Sequence, residues 1–294
     1  MNAVVCLIQP RGYVHSLALL EVCQLLAAAF ESLGWRARLT VNQLQAEALN
    51  VVLGYHLLTP EDADLFAGRQ VVVYQLEQAT QRGQWLTAGR LALLRAASAV
   101  WDYSPENIAL LRRSGISRVR ELKLGYHPAL RRIAQRPESD KDIDALFYGS
   151  LNERRARLLG ALRKRCHVKT LFGVYGEERD GWIARSRIVL NIHHYPSKIL
   201  EQVRLSYLLN NECFVISEES EHNPFGDGIV AAPYEDLGTE CERYLADPRA
   251  RRTVAARGFQ IIQQRPMTAE LAPLLEEWAE FAPARAPAQE LRFR

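Results

Sequence analysis

Hydrophobic residues along this chain fall into short unbroken runs set between longer stretches of mixed polarity. Val4-Val-Cys-Leu-Ile, Val71-Val-Val-Tyr-Gln-Leu and Ile188-Val-Leu show no apolar–polar alternation. Runs of this kind suit strands covered on both faces, as parallel strands are. Arg36 to Val41, Asn50 to Leu53, Ala99 to Tyr103, Ile143 to Tyr148, Val168 to Phe172, Cys213 to Ser217 and Gly228 to Ala231 read as further strands. Between them, helices are expected at about 17–33, 91–98, 104–115, 153–165, 234–245, 248–264 and 268–281. Ser104 as cap with Pro105 in the first turn is a strong helix start. Strand–helix alternation of this sort builds parallel sheets wound with helices.

The alternation is interrupted once, by the polar, aperiodic stretch from Arg131 to Lys141. The pattern therefore predicts α/β architecture with two doubly wound Rossmann-like domains. Residues 1–135 form the first and 136–266 the second; a helix over 267–283 stands as a candidate to cross back to the first. Residues 284–294, rich in alanine and proline, read as a loose tail.

At 294 residues the chain has room for two such domains. With 48% hydrophobic and 24% charged residues and a net charge of +3, it lacks the broad basic character of a nucleic-acid protein. Its five cysteines are odd in number and form no CxxC pair, which fits buried thiols in a reducing compartment. The first residues lack the basic segment of a signal peptide, and no apolar run approaches the ~20 residues of a membrane span. The expected location is the cytoplasm, with peripheral association at the inner face of the membrane left open.

Chemistry concentrates where strands end. In open α/β sheets, ligands bind beyond the carboxyl ends of the strands, and helix starts there attract phosphate. His193, His194, Tyr195 and Lys198 follow the Arg187–Ile192 strand, and Glu201 and Arg204 follow in the next helix. Gly149 and Ser150, with Asn152, end the Ile143 strand and give room for close approach of a ligand; an ordinary turn would use the same residues. Arg154 and Arg155 at a helix start are electrostatically odd beside the dipole's positive end, which favours a bound anion. The rival reading is a solvated basic helix. His193 reads equally as a satisfied structural histidine, and Glu201 as an acid stabilising the helix dipole. His15 and Glu77, after strands of the first domain, are candidates for a general base or an acceptor contact.

Ile143-Asp-Ala-Leu-Phe-Tyr-Gly-Ser-Leu-Asn-Glu-Arg-Arg-Ala-Arg-Leu-Leu resembles the first strand and turn of the donor domain in CgeB-like glycosyltransferases, relatives of the group 1 enzymes with GT-B fold. Ala99-Val-Trp-Asp-Tyr-Ser-Pro-Glu-Asn and Leu124-Gly-Tyr-His-Pro look like the end of that family's first domain, and Arg187 to Glu218 like its nucleotide-sugar site. The resemblance covers roughly Ala99 to Gln264. It implies two domains facing across a cleft and transfer of a sugar from a nucleotide diphosphate sugar to a glycan, lipid-linked or protein acceptor, as in polysaccharide biosynthesis. It assigns donor contacts to Gly149, Ser150, Asn152, Arg154, Arg155, His193, Tyr195, Lys198, Glu201 and Arg204. Lys198 and Glu201 match the group 1 spacing of a basic residue and a glutamate. Counting back from Phe214 instead selects Arg204 and Tyr207, and Glu201 is preferred because it lies nearer the strand ends. No Asp-x-Asp pair stands in a suitable loop, so no metal and no cofactor are expected. A non-catalytic nucleotide-sugar-binding protein on the same fold and a sugar-nucleotide epimerase remain alternatives.

Overall fold

The computed structural model describes residues 1–79, 85–281 and 291–292. They form two compact units, one of Met1–Ala129 with Pro266–Arg294 and one of Leu130–Arg265. The sequence reading puts the junction between residues 135 and 136; the units divide six residues earlier, and the chain returns to the first unit at Pro266.

The first unit is built on strands β1 (Asn2–Leu7), β2 (Arg36–Val41), β4 (Leu49–Leu53), β5 (Gln70–Gln75), β6 (Ala99–Asp102) and β7 (Val119–Glu121). Their order is β2-β1-β4-β5-β6-β7, and every pairing is parallel. β1, β4 and β5 are buried almost throughout, whereas the edge strand β2 keeps polar residues facing solvent. This explains why central strands read as continuous apolar runs and edge strands do not. β7 went unrecognised in the sequence because its Val-Arg-Glu buries only the valine.

Helices α1 (Leu20–Ser32), α2 (Ala88–Ala96) and α3 (Pro105–Arg113) complete this unit with α9 (Met267–Phe281), which packs on α1. Ser104 caps α3 through its hydroxyl, which accepts from Asn107 N–H at 3.2 Å. The helical segment Val14–Ser32 is long and apolar enough to cross a membrane, contrary to the expectation that no run approaches that length; half of it is buried inside the unit, where α1 packs against β1 and β2. Leu291–Arg292 (β13) pair antiparallel with Gln43–Leu44 (β3), so this part of the expected tail is strand; 282–290 and 293–294 lie outside the described residues.

The second unit carries β8 (Ile143–Tyr148), β9 (Val168–Leu171), β10 (Ser186–Asn191), β11 (Val215–Glu218) and β12 (Val230–Ala232), in the parallel order β12-β11-β10-β8-β9. Helices α4 (Glu153–Leu162), α5 (Gly176–Ala184), α6 (Gln202–Asn210), α7 (Leu237–Ala246) and α8 (Pro248–Gln263) surround it. Helix α5 was not foreseen, its Gly-Glu-Glu-Arg-Asp-Gly start being too polar to show a period. Helix α6 begins after Glu201, because Lys198 takes a left-handed conformation (φ 50°) that no helix continues through. All five cysteines are free, four of them buried; burial pushes the Cys6 thiol up to about 11 and those of Cys213 and Cys241 to about 12.

Both units are parallel-sheet α/β layers, so each presents all its strand ends on one edge. Apart from Met1, the large apolar side chains exposed among the described residues are Tyr13, Val14, Val41, Leu151, Phe172 and Tyr195. Every one ends a strand or follows one at its carboxyl edge.

Candidate functional site

The carboxyl edge of the second sheet gathers the turn after β8, the loop from β10 to α6, and the end of β11. Gly149 leaves β8 with φ at 131°, a conformation that side chains rarely adopt. A β-carbon there would stand 3.0 Å from Nη2 of Arg204. Three residues on, Asn152 caps α4, its Oδ1 accepting from Arg155 N–H at 2.9 Å, while its Nδ2 donates to the His194 carbonyl at 3.1 Å. One side chain thus ties the β8 turn to the β10 loop.

Both arginines at the start of α4 are engaged within the chain. Arg155 is buried; its guanidinium donates to the Ile192 carbonyl and the Ser150 carbonyl, both at 2.9 Å, and lies 3.8 Å from Glu201. Burial, then the neighbouring Arg204, pulls it down to about 10. It braces two loops. Arg154 meets Glu218 with both terminal nitrogens, Nη1 at 2.6 Å from Oε2, and stacks on Tyr234 at 3.8 Å. Glu218 is fully buried and also accepts from His193 N–H at 3.1 Å, with Lys198 Nζ at 3.6 Å. Burial pushes its carboxyl up, but Arg154 and His193 outweigh that and hold it below the ordinary carboxylate range. The anion that the arginines at this helix start seemed to require is therefore, for Arg154, the chain's own Glu218. Sequence reading passed over Glu218 as a site residue, although a carboxylate closing the apolar run Phe214-Val-Ile-Ser was a visible signal.

His193 is almost completely buried and engaged at both ring nitrogens. Nδ1 lies 3.1 Å from Glu201; Nε2 lies 3.1 Å from the Glu219 carbonyl and 3.0 Å from the Ser220 hydroxyl. It aligns the Glu201 carboxylate. Glu201 also accepts from Asn191 Nδ2 at 2.8 Å and keeps 17% of its side chain exposed. Burial raises its carboxyl, but His193, Arg204 and Asn191 together hold it below the usual range. Tyr207, the competing register, donates its hydroxyl to Asp180 at 2.6 Å under the Arg179 guanidinium, within the body of the unit.

Arg204 is only partly engaged. Nη1 donates to Asn191 Oδ1 at 2.7 Å and the guanidinium lies 4.9 Å from the Tyr148 ring, yet its Nε is buried with no hydrogen-bond partner. A buried unpaired donor of this kind asks for an acceptor. Ser150, Tyr195 and Lys198 are exposed, and His194 stacks edge-on with Tyr195 at 4.7 Å. Burial and then Arg155 hold the His194 ring below its ordinary value. A surface depression beside them is lined by Asn152, Glu153, Arg154, Arg157 and Tyr234. Among the described residues, no group of three or more His, Cys, Asp or Glu side chains could hold a metal ion.

In the first unit, His15 stacks edge-on against Tyr13 at 5.3 Å in a 3-10 turn after β1. Glu77, just past β5, lies 3.9 Å from His56 Nε2 and keeps a third of its side chain exposed. Its buried surroundings raise its carboxyl, opposed by Arg90.

No family model matches the chain. Two uncharacterized proteins of Acanthamoeba polyphaga mimivirus are each 30% identical to it, over 155 and 156 residues. Each match covers 50% of this chain and 50% or 53% of the relative, so the chain spans about half the length of the curated relatives it matches. Among solved structures, HepE of Anabaena in complex with UDP and glucose superposes with a TM-score of 0.61 at 12% identity, covering 96% of this chain and 100% of that one. An alpha-glucosyltransferase in complex with UDP and a 13-mer DNA gives 0.61 at 10% identity, over 94% and 98%. TarM gives 0.56 at 10% identity, over 79% and 54%. At such identities the likeness is one of fold, and that fold is the two-sheet α/β architecture of GT-B glycosyltransferases.

Proposed function

We propose that this chain is a GT-B glycosyltransferase of the CgeB-like kind, taking a sugar from a nucleoside diphosphate donor held at the carboxyl edge of its second unit. The observation that carries this reading is Arg204, whose buried Nε lacks an acceptor directly beneath a turn that only glycine at 149 fits. A guanidinium under a turn open to close approach suits a diphosphate oxygen. Lys198 and the N-terminal ends of α4 and α6 add positive potential to the same edge, so donor binding is expected without a divalent metal. Glu201, aligned by His193 and Asn191, has two carboxylate oxygens able to accept from the ribose hydroxyls. Stabilising a departing diphosphate in this way is a large catalytic term in enzymes that use it.

The fold neighbours solved with UDP, one of them also with glucose, support a uridine donor as the first to test. The acceptor is proposed to be a glycan, a lipid-linked glycan or a protein. The test is donor hydrolysis and transfer over a panel of nucleotide sugars, with thermal shift by UDP in EDTA. A rise in Tm together with turnover supports the reading. Binding without turnover across a broad acceptor panel identifies a non-catalytic nucleotide-sugar binder instead, and donor conversion without acceptor an epimerase.

A further inference from the structure

At the amino edge of the first sheet, where β6 and β7 begin, four arginines converge. Helices α2 and α3 end there, and their last turns supply Arg95, Arg112 and Arg113, while Arg118 directly precedes β7. Hydrogen bonds join them into one patch. Arg95 Nη2 donates at 3.1 Å to the carbonyl of Ser114, the residue after Arg113. Arg112 Nη2 donates at 3.3 Å to the carbonyl of Val119, the residue after Arg118. Arg118 Nη1 donates at 3.4 Å to the carbonyl of Ser98, just past the end of α2. All four arginines are exposed.

Helix capping accounts for only part of this arrangement. Basic side chains near a helix C-terminus meet its free carbonyls and the negative end of its dipole. A guanidinium carries several N–H groups, however, and the bonds above engage one nitrogen each of Arg95, Arg112 and Arg118. None of the four pairs with a carboxylate among the described residues, whereas the neighbouring Arg120 and Lys123 pair with Glu277 and Glu121. Four exposed positive charges without a counter-charge from the chain create a local positive field that an external anion neutralises.

The surface between them narrows the partner. It is the turn Ser114-Gly115-Ile116-Ser117, whose isoleucine is buried, so nothing bulky stands among the guanidinium groups. None of the large apolar side chains exposed among the described residues belongs to this turn or to the ends of α2 and α3. A protein interface is built round an apolar core with aromatic residues, and a single-stranded nucleic acid stacks its bases on aromatic rings. This patch offers neither. A flat array of phosphates needs the charges alone, and a guanidinium grips phosphate oxygens in pairs.

We propose that Arg95, Arg112, Arg113 and Arg118 form a docking surface for an anionic phospholipid bilayer, holding the chain at the membrane by charge, without an inserted apolar anchor. The surface stands on the first unit alone and goes beyond the glycosyltransferase reading; it is independent of what the donor edge binds.

The test is co-sedimentation of the full chain with phosphatidylcholine vesicles, with and without about 30% phosphatidylglycerol, at about 50 and about 300 mM salt. Binding is expected to the anionic vesicles only, and to be lost at the higher salt. A basic residue near such a surface contributes about fivefold in partitioning, so Arg113→Gln with Arg118→Gln should weaken binding about twenty-five-fold. Arg113→Lys with Arg118→Lys should retain most of it. Arg249→Gln with Arg252→Gln removes the same charge from exposed positions on α8 and should change it little. All of these side chains are exposed, so the variants should melt with the wild type. No preference for anionic vesicles overturns the proposal, as does a loss in the α8 or lysine variant equal to that in the Arg113 and Arg118 glutamine variant. Duplex DNA bound through the same arginines more tightly than the vesicles overturns it too. Failure of the chain to bind UDP counts against the donor reading alone.

Discussion

Replacing Arg204 by methionine, set beside the same change at Arg154, separates the cation that addresses a diphosphate from the one that supports the fold. Arg204 has one bond to Asn191 and a buried Nε without an acceptor. A phosphate oxygen reaching that group would gain a charge-assisted hydrogen bond, worth roughly 1.5–3 kcal/mol. Arg204→Met is therefore expected to weaken UDP about ten- to a hundredfold, at about 1.4 kcal/mol per decade, and to leave uridine nearly unaffected. Arg154 has both terminal nitrogens on Glu218. Removing one partner of a buried pair costs up to ~3–5 kcal/mol. Here the cost should be smaller, about 1–3 kcal/mol of stability, because Lys198 and the His193 N–H remain near Glu218 and Arg154 is itself 36% exposed. Its effect on UDP affinity should stay well below tenfold. Glu218→Gln in the Arg154→Met background should restore part of the lost stability, since no charge is then left buried and unpaired. Calorimetric titration with UDP and uridine in EDTA, with denaturant melts of each variant, reads both quantities. The reasoning is refuted if Arg154→Met weakens UDP more than Arg204→Met does, or if Arg204→Met weakens uridine and UDP equally.

Gly149→Ala places a β-carbon 3.0 Å from Arg204 Nη2 in a backbone region strained for alanine, so a loss of about 1–3 kcal/mol in a denaturant melt together with weaker UDP binding is expected; unchanged binding would detach the turn from the donor edge. Glu201→Gln should weaken UDP by about 1–3 kcal/mol but have little effect on a 2′,3′-dideoxy analogue, whereas Tyr207→Phe, losing its bond to Asp180, should lower stability by ~1 kcal/mol and spare UDP; the reverse pattern would restore the Tyr207 register. Because the Glu218 carboxyl is held below its unfolded value, its contribution to stability is complete above the ordinary carboxylate range and is lost as pH falls through the lowered folded value. Wild-type stability measured from pH 7 down to 3 should therefore fall more steeply than that of Glu218→Gln, and parallel curves would exclude the linkage.

The sequence by itself determined what depends on burial and local backbone chemistry. Unbroken apolar runs at Val4, Val71 and Ile188 became the central strands β1, β5 and β10, because a strand covered on both faces has no polar face to show. Ser104 with Pro105 opened α3, and the glycine at 149 marked a turn that other residues would strain. Elements without such signatures stayed hidden: β7 buries one residue, and α5 starts with charges and glycines. Tertiary structure alone decided which charged groups are already partnered. Arg154 and Glu218 lie 64 residues apart and Glu77 and Asn107 30, and each pair meets because the strands of one parallel sheet bring their carboxyl ends to the same edge. Periodicity reports which residues leave water, but not which acceptor a buried guanidinium finds there. Hence the sequence named Arg154, Arg155, His193 and Arg204 alike as candidates, while the fold gives the first three partners within the chain and leaves Arg204 with an unanswered N–H.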